Sequence, residues 1–137
     1  MKSIVKHSIS AAAAGRIVAA AEKKAQEIGV PMAIAVTDEG GTLKAFLRMD
    51  GAALLAVDVA KDKAYTATAF GMATDQWFDF IKDDAPLLHG VTKVPRLIVF
   101  GGGYPIIEDG AVIGAIGVSG GHYSQDMEVA RTALENC

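Results

Sequence analysis

The chain has 137 residues, of which 51% are hydrophobic, with a formal net charge of −3 and one cysteine, Cys137. That is enough for one compact domain over residues 1–137 with a substantial core and too little for two, and the slight acidity without clustered Lys or Arg excludes a nucleic-acid-binding surface. The single terminal cysteine excludes an internal disulfide and is compatible with a reducing compartment.

At the N-terminus, Lys2, Lys6 and His7 precede the small-residue run Ala11 to Ala14, a pattern superficially like an export signal. Ser8, Ser10 and Arg16 interrupt the apolar region, and it continues into a charged amphipathic segment, so the expectation is a cytoplasmic protein. Nothing approaches ~18 uninterrupted apolar residues, so no membrane span or membrane partner is expected.

From Ser10, the positions Ile17, Ala20, Ala21, Ala25 and Ile28 recur at helical spacing, with Arg16, Glu22, Lys23 and Glu27 between them. Gly29 and Pro31 end this first helix. Met32 to Thr37 reads as a buried strand and Thr42 to Met49 as its return, joined by the turn Asp38-Glu39-Gly40-Gly41. Leu54, Val57, Ala60, Lys61, Ala64, Ala67 and Thr68 mark a second helix whose small apolar stripe predicts close packing on a sheet. Asp75 to Ile81 predicts a short helix, followed by an irregular stretch through Pro86 and Pro95. Leu97 to Phe100, Tyr104 to Ile107 and Ala111 to Ser119 read as three further strands, the last two joined by Asp109-Gly110. A final helix runs from about Ser124 to the C-terminus. The order predicts an α+β domain with a five-stranded antiparallel sheet flanked by helices. Gly114 and Gly117 fall on opposite faces of the last strand, each admitting a helix or a ligand at close range.

The most telling stretch is Gly110 to Asp126, where a glycine-punctuated strand stops at Ser119-Gly120-Gly121 before the last helix. Free amides at such a turn suit a carboxylate, phosphate or propionate; the alternative is a plain turn capped by Ser119 or Ser124. Arg48, Lys61 and Lys63 are the candidate cations for an acidic ligand, although Asp58 lies three positions before Lys61, as in a plain surface pair. Gly117 to Gly121 fits the hydrolase pattern G-x-S-x-G, but no acid followed by a histidine comes after Ser119, which excludes a serine hydrolase. Gly114, Gly117 and Gly120 lack the dinucleotide spacing. His7, His89 and His122 show no zinc motif, so no metal site is expected, but haem needs only one or two axial ligands. His122 or His89 could serve, and Tyr104 and Tyr123 could also reach iron; each equally fits a capping, surface or packing role.

Val36 to Leu43, Arg48 to Ala52, Ala60 to Ala67, Gly101 to Ile106 and Gly114 to Gly120 with Gln125-Asp126 together resemble the GlcG/HbpS-like family, also called haem-degrading domain proteins. The resemblance spans nearly the whole chain. It implies a profilin-like fold, assembly into homo-oligomers, and a function that varies: some members bind haem, one branch is fused to cobalamin adenosyltransferase domains, and many lie beside small-molecule catabolic genes. Carried over by position, it implies that Arg48, Lys63, Thr66, Gly102, Pro105, Ser119, Gly120 and Gln125 line a pocket, to which the turn adds Gly121 and His122; no catalytic nucleophile is assigned.

Three functions follow as expectations. The first is a cytoplasmic oligomer binding haem or a related tetrapyrrole, its carboxylates on the Ser119 turn and Arg48, its iron on His122 or Thr66. The second is an enzyme for a small carboxylate or amine-containing catabolic intermediate, with Arg48 as anchor and Lys63 or Ser119 assisting proton transfer. The third is an interaction module using Met49, Trp77, Phe78 and Phe80.

Overall fold

A computed structural model describes all of residues 1–137. In chain order it contains α1 (Ala11–Ile28), β1 (Ala33–Asp38), β2 (Leu43–Arg48), α2 (Leu54–Phe70), a single 3-10 turn (Thr74–Gln76), α3 (Trp77–Ile81), α4 (Ala85–Gly90), a second 3-10 turn (Val91–Lys93), β3 (Gly103–Glu108), β4 (Ala111–Ser119) and α5 (Tyr123–Glu135). The Ser10 hydroxyl opens α1 by accepting from the Ala13 amide at 3.1 Å. In the β1–β2 turn, Asp38 Oδ1 accepts from the Gly40 and Thr42 amides at 2.9 and 3.0 Å, the local side-chain bonding that makes Asp a turn residue.

The strands form one antiparallel sheet of four strands in the order β2-β1-β4-β3. Alternation along β1 and β4 gives each face its own core. Ile34, Val36, Ile116 and Val118 pack with Ile17, Ala21 and Ala25 of α1 and Val129, Ala130 and Ala133 of α5. Ala33, Ala35 and Ala115 pack on the other face with Ala56, Ala60, Ala64 and Ala67 of α2. One face is thus built of branched side chains and the other almost wholly of alanine.

The alanine face is thin because the sheet has no side chain at its middle. Gly117 pairs with Ala35 on one side and Gly103 on the other, and a Cβ at Gly117 would overlap the Ala60 carbonyl oxygen and lie 2.5 Å from the Ala64 amide nitrogen. The helix backbone rests directly on the strand, as the small-residue stripe of α2 implies. Gly114, on the opposite face, lies under Ile9, whose Cγ2 would be 3.1 Å from a Cβ there.

The expected strand over Leu97 to Phe100 does not form, and the sheet has four strands rather than five. The Ile98 amide donates to Thr66 Oγ1 at 3.0 Å, and that hydroxyl donates to the Arg96 carbonyl at 2.8 Å. Arg96 adopts φ 67 and its Nε donates to Asp62 at 2.9 Å. The segment is therefore bound to α2, and its amide is not available to a strand ladder. The sheet ends instead at β3, an edge strand that tolerates Pro105, which has no amide proton. The irregular stretch expected around Pro86 contains α4, opened by Asp84, whose side chain accepts from the Leu87 amide.

The aromatic group Trp77, Phe78 and Phe80 divides. Trp77 is 6% exposed in a small core with Ile81 and Val91, whereas Phe78 and Phe80 are 55% and 56% exposed. Met49 is half-buried against the main core. Trp77 is thus a packing residue and not part of an exposed surface.

Substituting Gly117→Ala is expected to cost about 1–3 kcal/mol, the usual penalty of overpacking, because α2 must lift off the sheet. Gly15→Ala, inside α1 with nothing within 4 Å of the new Cβ, is expected to gain about 0.5–1 kcal/mol. Urea denaturation of the two variants measures both signs.

Candidate functional site

Lys63 is 0% exposed, the largest fully enclosed side chain in the protein. Its Nζ donates to the Val118 carbonyl and to Asp126 Oδ2, each at 2.8 Å, and lies 5.2 Å from the centre of the Phe100 ring. A charge so deep in a small-residue helix requires such partners. Gly102 makes room for the ammonium: it adopts φ +127, and a Cβ there would sit 2.6 Å from both Nζ and the Val118 oxygen. Burial pushes the Lys63 ammonium below the ordinary lysine range and the Asp126 carboxyl above the ordinary aspartate range, each partly held back by the charge of the other. The ionised form of both is the one that the geometry satisfies, since Asp126 Oδ1 also accepts from the Gly121 amide at 3.0 Å.

This arrangement alters the expected anion site. The glycine turn already holds a carboxylate, and it is the chain's own. The His122 amide is also taken, donating to Gln125 Oε1 at 3.0 Å, which leaves the amides of Gly120 and Tyr123 without a protein acceptor. Nor do Ser119 or Ser124 cap α5. His122 is the N-cap, its Nδ1 accepting from the Ser124 amide at 3.2 Å and lying 2.8 Å from Ser124 Oγ, with Gln125 completing a capping box. An Nδ1 that accepts an amide proton places the imidazole's own proton on Nε2, an assignment made from this bonding.

Above the turn lies an open hollow of about 370 Å³ between the start of α2 and the start of α5. Leu55, Ala56, Val59, Phe100 and Tyr123 form its apolar walls, and Ser119 to His122 with Asp126 form its polar end. Leu54 and Leu55 are 82% and 75% exposed beside it.

Of the residues expected at a pocket, Ser119, Gly120, Gly121 and His122 line this hollow, while Lys63, Gly102 and Gln125 support it from behind. Arg48 does not join them. It lies at the end of β2 in a separate depression with Glu22, Gln26 and Asp50, so the turn and this guanidinium do not hold one ligand between them. Pro105 lines a different hollow with Ile17, Ile107 and Leu134. Thr66 is 1% exposed with its hydroxyl engaged on both sides, which removes it as an iron ligand. Lys61 lies over the Phe46 ring at 5.4 Å instead of pairing with Asp58. Asp126, Phe100 and Leu55 were not among the expected pocket residues. The signal for Asp126 was available in Lys63 itself, because a lysine in an alanine stripe needs an acid to meet it.

A sequence model of the family described as haem degrading protein HbpS-like matches residues 9–135. The chain belongs to the HbpS-like family. It is 42% identical over 130 residues to an uncharacterized 15.0 kDa protein of the dhaT-dhaS intergenic region of Citrobacter freundii, covering 93% of this chain and 91% of that protein. It is 37% identical over 116 residues to the corrinoid adenosyltransferase PduO of Salmonella typhimurium, covering 84% of this chain but 34% of PduO, and so spans about a third of that protein. A crystal structure of a PduOC–haem complex matches with a TM-score of 0.88 and 33% identity over 95% of each chain.

Lys63→Met leaves the Asp126 carboxylate enclosed and unpaired, and is expected to cost about 3–5 kcal/mol. Adding Asp126→Leu is expected to recover most of that loss, since both charges are then gone. A urea-denaturation cycle over the single and double variants measures the difference.

Proposed function

We propose that this protein binds haem, or a closely related tetrapyrrole, in the hollow between α2 and the glycine turn, as a cytoplasmic homo-oligomer. The observation that carries the reading is the apolar wall of Leu55, Ala56, Val59, Phe100 and Tyr123 with an exposed imidazole, His122, at its polar end. Membership of the HbpS-like family and the 33% identity to the PduOC–haem structure support it.

The residues present suit the group in part. A macrocycle face fits on the aliphatic and aromatic wall, and the imidazole is a suitable axial donor. No cationic side chain lines the hollow, so the propionates face solvent or the unbonded Gly120 and Tyr123 amides. Ligation through His122 Nε2 requires that nitrogen's lone pair, hence a proton on Nδ1. Ser124 Oγ, 2.8 Å from Nδ1, is placed to accept it, at the loss of the 3.2 Å bond from the Ser124 amide. Bound haem would supply redox chemistry at iron; the chain's own contribution is the apolar wall, the imidazole and its Ser124 partner.

Leu54, Leu55, Phe70, Phe78, Phe80 and Phe100 are exposed and offer apolar side chains to a second copy, which supports the reading of a homo-oligomer.

Titration with hemin is expected to give a saturable Soret shift. His122→Ala is expected to move the band and weaken binding by about tenfold or more, equivalent to about 1.4 kcal/mol. No saturable shift removes the reading; a shift identical in the variant removes His122 as the ligand. Sedimentation of Leu54→Glu tests assembly separately, and its mass is expected to fall below that of the parent.

A further inference from the structure

Residues 1–8 precede α1 as an exposed arm that makes no backbone hydrogen bond and no salt bridge to the rest of the chain. The chain is first held at Ile9, which is 2% exposed and whose amide donates to the Ile113 carbonyl at 3.0 Å. Beyond that anchor Ile4 and Val5 are 80% and 94% exposed, between the unpaired Lys2 and Lys6. Two adjacent apolar side chains left in water are drawn to an apolar seat, and only burial of both offsets the entropy lost when the arm is ordered.

A hollow of about 230 Å³, where α1 and α5 meet β3, is lined by Ile17, Pro105, Ile106, Ile107, Leu134 and Cys137. It is smaller than the usual small-molecule pocket of about 300–1,000 Å³, and its mainly aliphatic walls suit the side chains of a polypeptide. Glu108 follows Ile107 and precedes Asp109, and Glu135 follows Leu134; all three are exposed and in no salt bridge. Arg16, beside Ile17, is the one basic residue adjacent in sequence to a wall residue. The rim is therefore mainly acidic and the arm is basic, so their charges are complementary and orient the contact.

The root of the arm and the hollow are neighbours, since Ile9 lies over Gly114 and Gly114 is the β4 partner of Ile106. From Ile9 back to Ile4 the extended chain spans at most about 18 Å. The outer edge of β3 is closed over Gly103 to Pro105, because the Gly103 amide donates to Thr74 Oγ1 at 2.9 Å and Pro105 has no amide proton. An arm seated here is accordingly held by its side chains and not as an added strand.

We infer that this hollow is the seat of the N-terminal arm of a second copy, with Ile4 and Val5 against its aliphatic walls and Lys2 and Lys6 facing Glu108, Asp109 and Glu135. Nearness of root and seat suits a reciprocal exchange across a two-fold axis, each arm crossing to the other copy. The inference rests on the homo-oligomer reading and names one contact within it, separate from the exposed Leu54.

Sedimentation of the full chain, of a variant lacking residues 1–8 and of the double variant Ile4→Glu with Val5→Glu tests the exchange. Both variants are expected to raise the dissociation constant of assembly at least tenfold with an unchanged circular dichroism spectrum, since the altered residues lie outside the packed fold. Ser3→Cys supplies a second readout, because Cys137 in the hollow is the only other cysteine. Mild oxidation of isotope-labelled and unlabelled protein mixed together is expected to join position 3 of one chain to Cys137 of another, whereas Lys44→Cys, on the far edge strand β2, gives no such link. An assembled parent whose dissociation constant the deletion leaves unchanged overturns this inference alone. A link formed within one chain also overturns it, in favour of an arm that straps its own hollow. A parent that is a monomer throughout overturns the homo-oligomer reading and this contact together.

Discussion

The buried pair of Lys63 and Asp126 joins more of this structure than any other contact. Lys63 comes from α2 on one face of the sheet and Asp126 from α5 on the other; the ammonium binds both that carboxylate and the Val118 carbonyl, one residue before the end of β4. The remaining oxygen of Asp126 holds the glycine turn through the Gly121 amide. Two opposite layers, the end of β4 and the rim of the hollow above the turn are thus fixed by one ion pair. Burying it is expensive, and the geometry compensates only because every polar atom in the set has a partner within about hydrogen-bond length.

That pair also explains why the glycine turn is not a simple anion trap. Free amides at a helix start attract negative charge, and here the attraction is satisfied from within, by a carboxylate from the helix's own first turns. The hollow above is consequently apolar rather than cationic, which favours a flat hydrophobic ligand over a small acid. With Arg48 at the far end of β2 in its own depression, the reading of an enzyme for small carboxylates loses the anchor on which it rested.

The glycines of β3 and β4 have an architectural role that precedes any ligand. Gly117 and Gly103, paired beside Ala35, give α2 a surface bare of side chains at the middle of the sheet. This close approach carries Lys63 into the interior and leaves Leu54 and Leu55, at the start of the same helix, standing clear of the sheet. Packing of the alanine face, burial of the lysine and exposure of the apolar rim are therefore consequences of one helix position.

Much of this was legible in the sequence. Helical spacing from Ile17 to Ile28, the hairpin around Asp38 to Gly41, the strand from Ala111 to Ser119 and the small-residue stripe of α2 follow from side-chain periodicity and turn chemistry, which act over a few residues. The glycine turn, with His122 and Gln125 beside it, stood out for the same reason. What the sequence could not decide were the relations between distant segments. Leu97 to Phe100 has a strand's composition, but Thr66 takes its amide; Arg48 and Ser119 sit at the ends of strands, but open into different hollows; Thr66 and Lys63 look alike as polar residues in an alanine helix, yet one bonds a loop and the other crosses to α5. Those outcomes depend on which groups meet across 30 to 63 positions of chain, and partners at such separations are brought together only when the layers have packed.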